Sequence, residues 1–149
     1  MSTAQAPRLG AAESVVRVAV VAALAVDAVV HLRLAANYQL AAPGGIGGGN
    51  LFRIQAVAAI LIGIYLLVQP SRLAYAVAAV VLLSAFVAVL LYRYVEVPAL
   101  GPLPSMYEPL WYFEKSLSAV AEGAGALLAM VGMVLTGRTA ADRTTVHAS

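Results

Sequence analysis

Four long apolar runs constrain the fold of this chain more than any other feature. They cover about residues 14–36, 51–69, 71–94 and 111–136. A helix needs about 20 mostly apolar residues to cross the hydrocarbon core of a bilayer, and each run approaches or exceeds that length. Of 149 residues, 62% are hydrophobic and 11% are charged, a balance that a soluble domain of this size cannot hide from water. The sequence predicts an all-α protein, a transmembrane antiparallel four-helix bundle with the lipid bilayer as its main partner.

The segments outside the runs set the domain organisation. We predict a polar N-terminal tail at residues 1–13, a membrane domain at 14–136 and a polar C-terminal tail at 137–149. The first run is too long for the apolar core of a signal peptide, so we expect it to remain as a membrane helix. The Gly-rich stretch 42–50 predicts a flexible first loop, and Asn50 is a candidate cap for the second helix.

The other two connections carry different signals. Pro70 ends the second helix and Ser71 can cap the third, which predicts a tight hairpin. Residues 95–110 contain four prolines and predict an extramembrane loop without regular structure. Aromatic side chains beside this loop are expected to anchor one membrane face, with a ligand-stacking platform as the alternative. They are Tyr92, Tyr94, Tyr107, Trp111 and Tyr112.

Missing or scattered residue types exclude several functions. The chain has no cysteine, so a disulfide, a thiolate metal site and a c-type haem are disfavoured. Its basic residues occur singly, without the clusters that nucleic acid requires. Haem bound by two histidines of one chain is also disfavoured, because the second histidine, His147, lies in the polar tail.

Ionisable residues inside the apolar runs are the candidate functional groups. Asp27, His31 and Tyr38 fall on one face of the first helix, because steps of four and seven residues keep to one face. At 1.5 Å per residue, Asp27 and Glu122 both lie roughly 13 to 17 Å from the same membrane face. A second stripe, on the fourth helix, mixes acids with small residues that permit close helix packing. It consists of Glu114, Ser118, Glu122, Gly125, Ala129 and Gly132.

These levels predict that Asp27, His31 and Glu122 meet inside the bundle, and we call these three residues the polar centre. Arg53 and Gln55 of the second helix are expected to enter from the same side. Supporting roles are assigned to Arg53, Gln55, Glu114, Ser118 and Tyr38.

Three interpretations of the polar centre are open. Asp27 and His31 can simply bond each other and offset the cost of burial. An imidazole and two carboxylates also suffice to bind a divalent metal such as iron, manganese or zinc. The same groups can instead relay protons or hold a quinone headgroup, since imidazole titrates near neutrality. No catalytic motif is present, so no catalytic residue is assigned.

Several segments together resemble a known group of proteins. The first span ends His31-Leu-Arg-Leu-Ala-Ala-Asn-Tyr38, the second opens Leu51-Phe-Arg-Ile-Gln-Ala56, and the last contains Ala121-Glu-Gly-Ala-Gly125. With the Pro-Ser-Arg turn, these segments resemble small four-pass membrane proteins of actinobacteria and, more loosely, the DoxX-like group. Some DoxX-like proteins form the membrane part of quinone-linked oxidoreductases, so the resemblance implies a redox-associated subunit of a bacterial plasma membrane. The Gly-rich first loop and the Pro-rich third loop depart from that group.

Basic residues give the expected orientation. Lysine and arginine favour the cytoplasmic side, and the side with both termini carries five of them against four on the other, which predicts cytoplasmic termini. The five are Arg8, Arg17, Arg72, Arg138 and Arg143, and the four are Arg33, Arg53, Arg93 and Lys115.

Three functions are compatible with this description. The leading hypothesis is an accessory membrane subunit linked to redox or quinone chemistry, and whether the chain is itself an enzyme stays open. The alternatives are an oligomeric ion or proton channel or transporter component, and an interaction scaffold whose 95–110 loop docks another membrane protein. A second copy of the chain is a further candidate partner, because the small residues of the fourth helix suit self-association.

Overall fold

Four helices account for most of the protein. The computed structural model describes the backbone of residues 5–147 and the side chains of residues 10–138. Each helix is long and apolar enough to cross a membrane, and they pack against one another as a bundle. The predicted all-α four-helix fold is confirmed. The helices are α1 (Gln5–Ala41), α2 (Gly48–Val68), α3 (Arg72–Tyr94) and α4 (Phe113–His147).

The outer helices are longer than the apolar runs. The backbone of α1 begins inside the predicted N-terminal tail, and that of α4 continues through the predicted C-terminal tail to His147. Both tails are rich in alanine, the strongest helix former, so they continue the adjoining helices. Residues 1–4 and 148–149 lie outside the described residues, as do the side chains of Arg8, Arg143 and His147.

The glycines of the first loop serve helix packing. Helix α2 begins at Gly48, inside the predicted flexible loop, and its N-cap is Gly47 with φ 83°. A Cβ atom at Gly49 would lie 2.3 Å from the Ala35 carbonyl oxygen, so α1 and α2 meet at backbone distance. The prediction that Asn50 caps α2 is wrong. Its side chain lies within the first turn and donates to the Ile46 carbonyl at 2.8 Å.

The connection between α2 and α3 follows the prediction. Ser71 is the N-cap of α3, and its hydroxyl accepts a hydrogen bond from the Ala74 amide at 3.1 Å. Pro70 lies directly before this cap, and α2 ends two residues before Pro70, at Val68. The tight hairpin and the Ser71 cap are confirmed. We call this side of the bundle the hairpin end, and the opposite side, with residues 42–47 and 95–112, the loop end.

Short backbone pairings order the 95–110 loop. Two isolated antiparallel bridges, Val97 with Met106 and Leu100 with Leu103, fold it back on itself. The Ile46 amide donates to the Pro102 carbonyl at 2.8 Å and ties the loop to the first connection. The loop is therefore fixed over one end of the bundle and has more regular pairing than predicted.

Packing is uneven around the bundle. Helix α1 packs mainly against α2 and α4, and α3 mainly against α4, whereas α2 packs only lightly against α3. The hydrophobic core between the helices mixes alanines with a few larger side chains. The fully buried large apolar residues include Val20, Leu24, Leu66 and Leu82.

A second polar contact lies toward the hairpin end. The Tyr75 hydroxyl donates to Glu13 Oε1 at 2.6 Å, and Glu13 is also 3.6 Å from Arg17. Gly132 makes room for the Tyr75 ring, since a Cβ there would lie 2.3 Å from Cε1 of that ring. The contact joins α1, α3 and α4 at a level separated from the polar centre by apolar core.

Replacing Tyr75 by Phe is expected to destabilise the protein by about 1 kcal/mol, because the hydrogen bond to Glu13 is lost while the ring still fills its site. Thermal unfolding in mild detergent measures the effect. Tyr65→Phe is the matched control, since Tyr65 is only half-buried in the same bundle. Equal stability of the two variants would show that the contact with Glu13 contributes nothing.

Candidate functional site

Helix α1 contributes two residues of the polar centre, Asp27 and His31, one turn apart. Both are buried, and His31 Nδ1 lies 2.7 Å from Asp27 Oδ1 and 2.9 Å from the Asp27 carbonyl oxygen. Both of these oxygens are acceptors, so the proton of the imidazole belongs on Nδ1. Nε2 has no hydrogen-bond partner among the described side chains.

Helix α4 contributes the third residue. Glu122 is fully buried, and the Ser118 hydroxyl, one turn earlier, donates to Glu122 Oε1 at 2.5 Å. Potential ligand atoms of Asp27, His31 and Glu122 all lie within 4.8 Å of one another. The structure thus brings together the three residues that the sequence predicted to meet.

Helix α2 adds Gln55, which connects three helices. Its amide donates to Asp27 Oδ2 at 2.9 Å, and the same nitrogen lies 3.4 Å from the Val81 carbonyl oxygen on α3. Asp27 therefore accepts from α2 as well as from its own helix. Because α2 and α3 pack lightly on each other, this side chain is a main polar link between them.

Two of the predicted supporting residues lie elsewhere. Arg53 is exposed and donates to Asn50 Oδ1 at 2.8 Å. Arg53 and Gln55 are two positions apart on α2, and two positions correspond to a rotation of about 200° around the helix axis. The two side chains therefore lie on opposite faces of α2 and cannot enter one site. Glu114 is half-buried in the first turn of α4, two turns before Glu122. The expectation that Arg53 joins Gln55 at the centre is wrong for this geometric reason.

A cavity of about 280 Å³ lies directly on the loop side of the polar centre. All four helices and the 95–110 loop contribute to its wall. Its inner end carries His31, Gln55 and Ser118, while Asp27 and Glu122 do not line it. The two carboxylates therefore lie behind the inner wall, and His31 stands between them and the cavity.

Aromatic rings form one side of the cavity. The Phe52 ring stacks on Tyr38 with ring centroids 4.0 Å apart and an interplanar angle of 23°. The His31 ring is 4.8 Å from the same Phe52 ring. Tyr38, predicted as a supporting residue, thus belongs to the cavity wall.

Hydroxyl and amino groups lie at the outer end of the cavity. The hydroxyls of Tyr38 and Tyr112 are 3.0 Å apart, and one bond between two hydroxyls leaves one of the two protons free to donate to another group. Burial raises the pKa of Tyr112, so its hydroxyl keeps its proton at neutral pH.

Lys115 is the residue that sequence reasoning missed. Its side chain lines the cavity, is only 5% exposed and donates to the Glu108 carbonyl. Position 115, at the start of a membrane helix, is typical of an interfacial cation, and the sequence analysis used Lys115 only in the count of basic residues that gives the orientation. Its spacing of three residues from Ser118 was the available signal, because it places both residues on one face of α4.

Comparison with known proteins adds no assignment. No model of a protein family matches the chain, and searches among curated proteins and solved structures find no match. The resemblance to DoxX-like proteins therefore stays a prediction.

Proposed function

We propose that this protein is an accessory membrane subunit that binds the headgroup of a quinone-like molecule in the cavity next to His31. The single observation that supports this best is the arrangement of hydrogen-bond donors at both ends of a partly aromatic cavity. The proposal makes the subunit part of a redox-linked membrane assembly, as the DoxX-like resemblance implies.

The chemistry of a quinone headgroup matches this wall. A para-quinone is a flat ring with two carbonyl acceptors on opposite edges. When Nε2 of His31 carries a proton, it can donate to one carbonyl of the quinone. A hydroxyl of the Tyr38 and Tyr112 pair can donate to the other carbonyl. Phe52 supplies an aromatic face for the ring. A volume of about 280 Å³ is at the small end of ligand sites, which suits a headgroup whose apolar tail stays in lipid.

The uneven helix packing gives such a tail a route. Helices α2 and α3 both line the cavity, with Phe52 on one and Ala88 on the other, yet they pack only lightly together. Backbone hydrogen bonds hold the 95–110 loop across the loop end. Access between α2 and α3 therefore favours a ligand dissolved in the bilayer over one dissolved in water.

The proposed location is a bacterial plasma membrane with both termini in the cytoplasm. Five basic residues on the side of the termini, against four on the other, support this orientation. The cavity then opens in the outer half of the membrane. We also propose a partner protein that supplies or removes electrons, because this chain has no cysteine for thiol redox chemistry.

The core is less suited to transport through one chain. Between the polar centre and the Glu13–Tyr75 contact, the bundle interior holds apolar residues such as Leu24, Leu82 and Ala126, all buried. Ions and protons need polar groups or water along their path. The alternative of a channel or transporter component would require an assembly in which several copies form the path.

His31→Asn is expected to weaken quinone binding about tenfold, the effect of losing one hydrogen bond of about 1.4 kcal/mol. The Asn amide can replace Nδ1 as the donor to Asp27, but it has no counterpart of Nε2. Binding of a short-chain naphthoquinone is measured in detergent by quenching of Trp111, the one tryptophan of the chain.

Glu114→Gln serves as the control, because Glu114 lies outside the cavity wall, and it should bind the naphthoquinone like the wild type. Absence of saturable quenching in the wild-type protein would overturn the proposal. Unchanged affinity in a folded His31→Asn variant would remove His31 from the binding site.

A further inference from the structure

We propose that Asp27, His31 and Glu122 bind one divalent transition metal, Mn²⁺, Fe²⁺ or Zn²⁺, behind the inner wall of the cavity. The site is separate from the proposed quinone site, since its two carboxylates do not line the cavity. His31 is shared: when the metal binds Nδ1, the ring proton moves from Nδ1 to Nε2, which lies toward the cavity. Neither proposal requires the other.

The donor set suits these metals. Two carboxylates and one imidazole are ligands that Mn²⁺, Fe²⁺ and Zn²⁺ all accept. Potential ligand atoms from the three side chains already lie within 4.8 Å of one another. The ligands come from two packed helices, α1 and α4, so the fold itself holds them at this distance.

Charge balance gives a second argument. Asp27 and Glu122 are both 0% exposed, and among the described side chains neither is within ion-pair distance of a lysine or arginine. The buried amine nearest along α4, Lys115, donates to the Glu108 carbonyl. Buried carboxylates need a compensating charge or a proton. A divalent cation neutralises both carboxylates at once.

An unsatisfied acceptor points to a ligand inside the cluster. Glu122 Oε2 is buried and accepts no hydrogen bond from the described residues, although Oε1 of the same carboxylate accepts from Ser118. Within residues 10–138, Asp27 Oδ1 has one polar neighbour, the His31 ring. Buried polar atoms are nearly always satisfied, so Glu122 Oε2 is the free ligand position, and Asp27 Oδ1 becomes a second one when the proton leaves His31 Nδ1.

Neighbouring side chains hold the proposed ligands in place. Gln55 donates to Asp27 Oδ2, and Ser118 donates to Glu122 Oε1, so each carboxylate keeps its other oxygen for the metal. Metal sites generally use such outer hydrogen bonds to orient their ligands. The alternative without metal is a proton held between Asp27 and Glu122.

Metal titration distinguishes the two. The protein is purified without a tag in a His147→Ala background, stripped with chelator, and titrated with MnCl₂ while the electron paramagnetic resonance signal of free Mn²⁺ is followed. One Mn²⁺ per chain is expected, displaced by ZnCl₂. Ser118→Ala should weaken binding roughly 10- to 100-fold, as loss of an outer partner does, and Glu122→Gln should weaken it more.

Glu114→Gln is the matched control, on the same helix but outside the cluster, and should bind Mn²⁺ as the wild type does. Failure of the wild type to take up Mn²⁺ or Zn²⁺, or equal uptake by folded Glu122→Gln, overturns the proposal. If Glu122→Gln does not fold, Ser118→Ala and the thermal shift of the wild type on adding Mn²⁺ decide, and absence of both effects overturns it. Naphthoquinone quenching, measured on stripped protein, reports on the quinone proposal separately.

Discussion

Gly49→Ala is expected to destabilise the bundle by about 1–3 kcal/mol, the usual effect of forcing an extra group into a packed interior. A Cβ at this position would lie 2.3 Å from the Ala35 carbonyl oxygen and 2.6 Å from Gln39 Cβ. The first of these neighbours is the backbone of α1, which cannot rotate away as a side chain can. The helices must therefore separate, and the first turn of α2 moves with them.

Gly63→Ala is the matched control on the same helix. Its Cβ would have its nearest neighbours, atoms of Leu24, at 3.9 Å, an ordinary contact distance. Since alanine is a better helix former than glycine by about 1 kcal/mol, this variant should be as stable as the wild type or more stable. Unfolding by SDS titration in mixed micelles measures both variants. Equal stability of Gly49→Ala and Gly63→Ala would show that α1 and α2 do not approach as closely as the structure places them.

This contrast shows what the sequence could and could not predict about the fold. The four spans and the Ser71 cap follow from hydropathy and local chemistry, and both are present in the structure. The start of α2 does not, because glycine is typical of loops and of close helix contacts alike. Only the position of α1 distinguishes the two uses at Gly48 and Gly49.

The same limit applies to the candidate site. Helical periodicity and rise were enough to predict that Asp27, His31 and Glu122 meet, because Asp27 and Glu122 lie at similar levels and His31 is one turn from Asp27 on the same helix face. They could not predict the cavity, which depends on how the 95–110 loop folds back over the helices. For that reason the sequence did not predict that Lys115 lines a cavity.

Asp27→Ala is expected to destabilise the protein by about 2–5 kcal/mol, the largest effect we predict for a single substitution. Asp27 is the common acceptor of the Gln55 amide and the His31 ring. Its removal leaves the Gln55 amide with only the 3.4 Å contact to the Val81 carbonyl oxygen, and leaves His31 Nδ1 with only the backbone carbonyl of residue 27. It also leaves a void in the fully buried interior of α1. The link from α1 through Gln55 to α2 is lost at the same time. Thermal and SDS unfolding in detergent measure the loss.

A double-mutant cycle separates the hydrogen bond from the void. Gln55→Leu alone leaves Asp27 without one donor, whereas Asp27→Ala combined with Gln55→Leu removes both partners, so the double variant should be more stable than the sum of the two losses by about 0.5–3 kcal/mol. Glu114→Ala, which removes a half-buried acid outside the cluster, should cost little. Strict additivity in the cycle would mean that Asp27 and Gln55 do not interact. If Asp27→Ala is as stable as the wild type, the polar centre does not hold the helices together. Strong coupling together with metal uptake would instead show that one buried carboxylate both ties α1 to α2 and binds the ion, because its two oxygens have different partners.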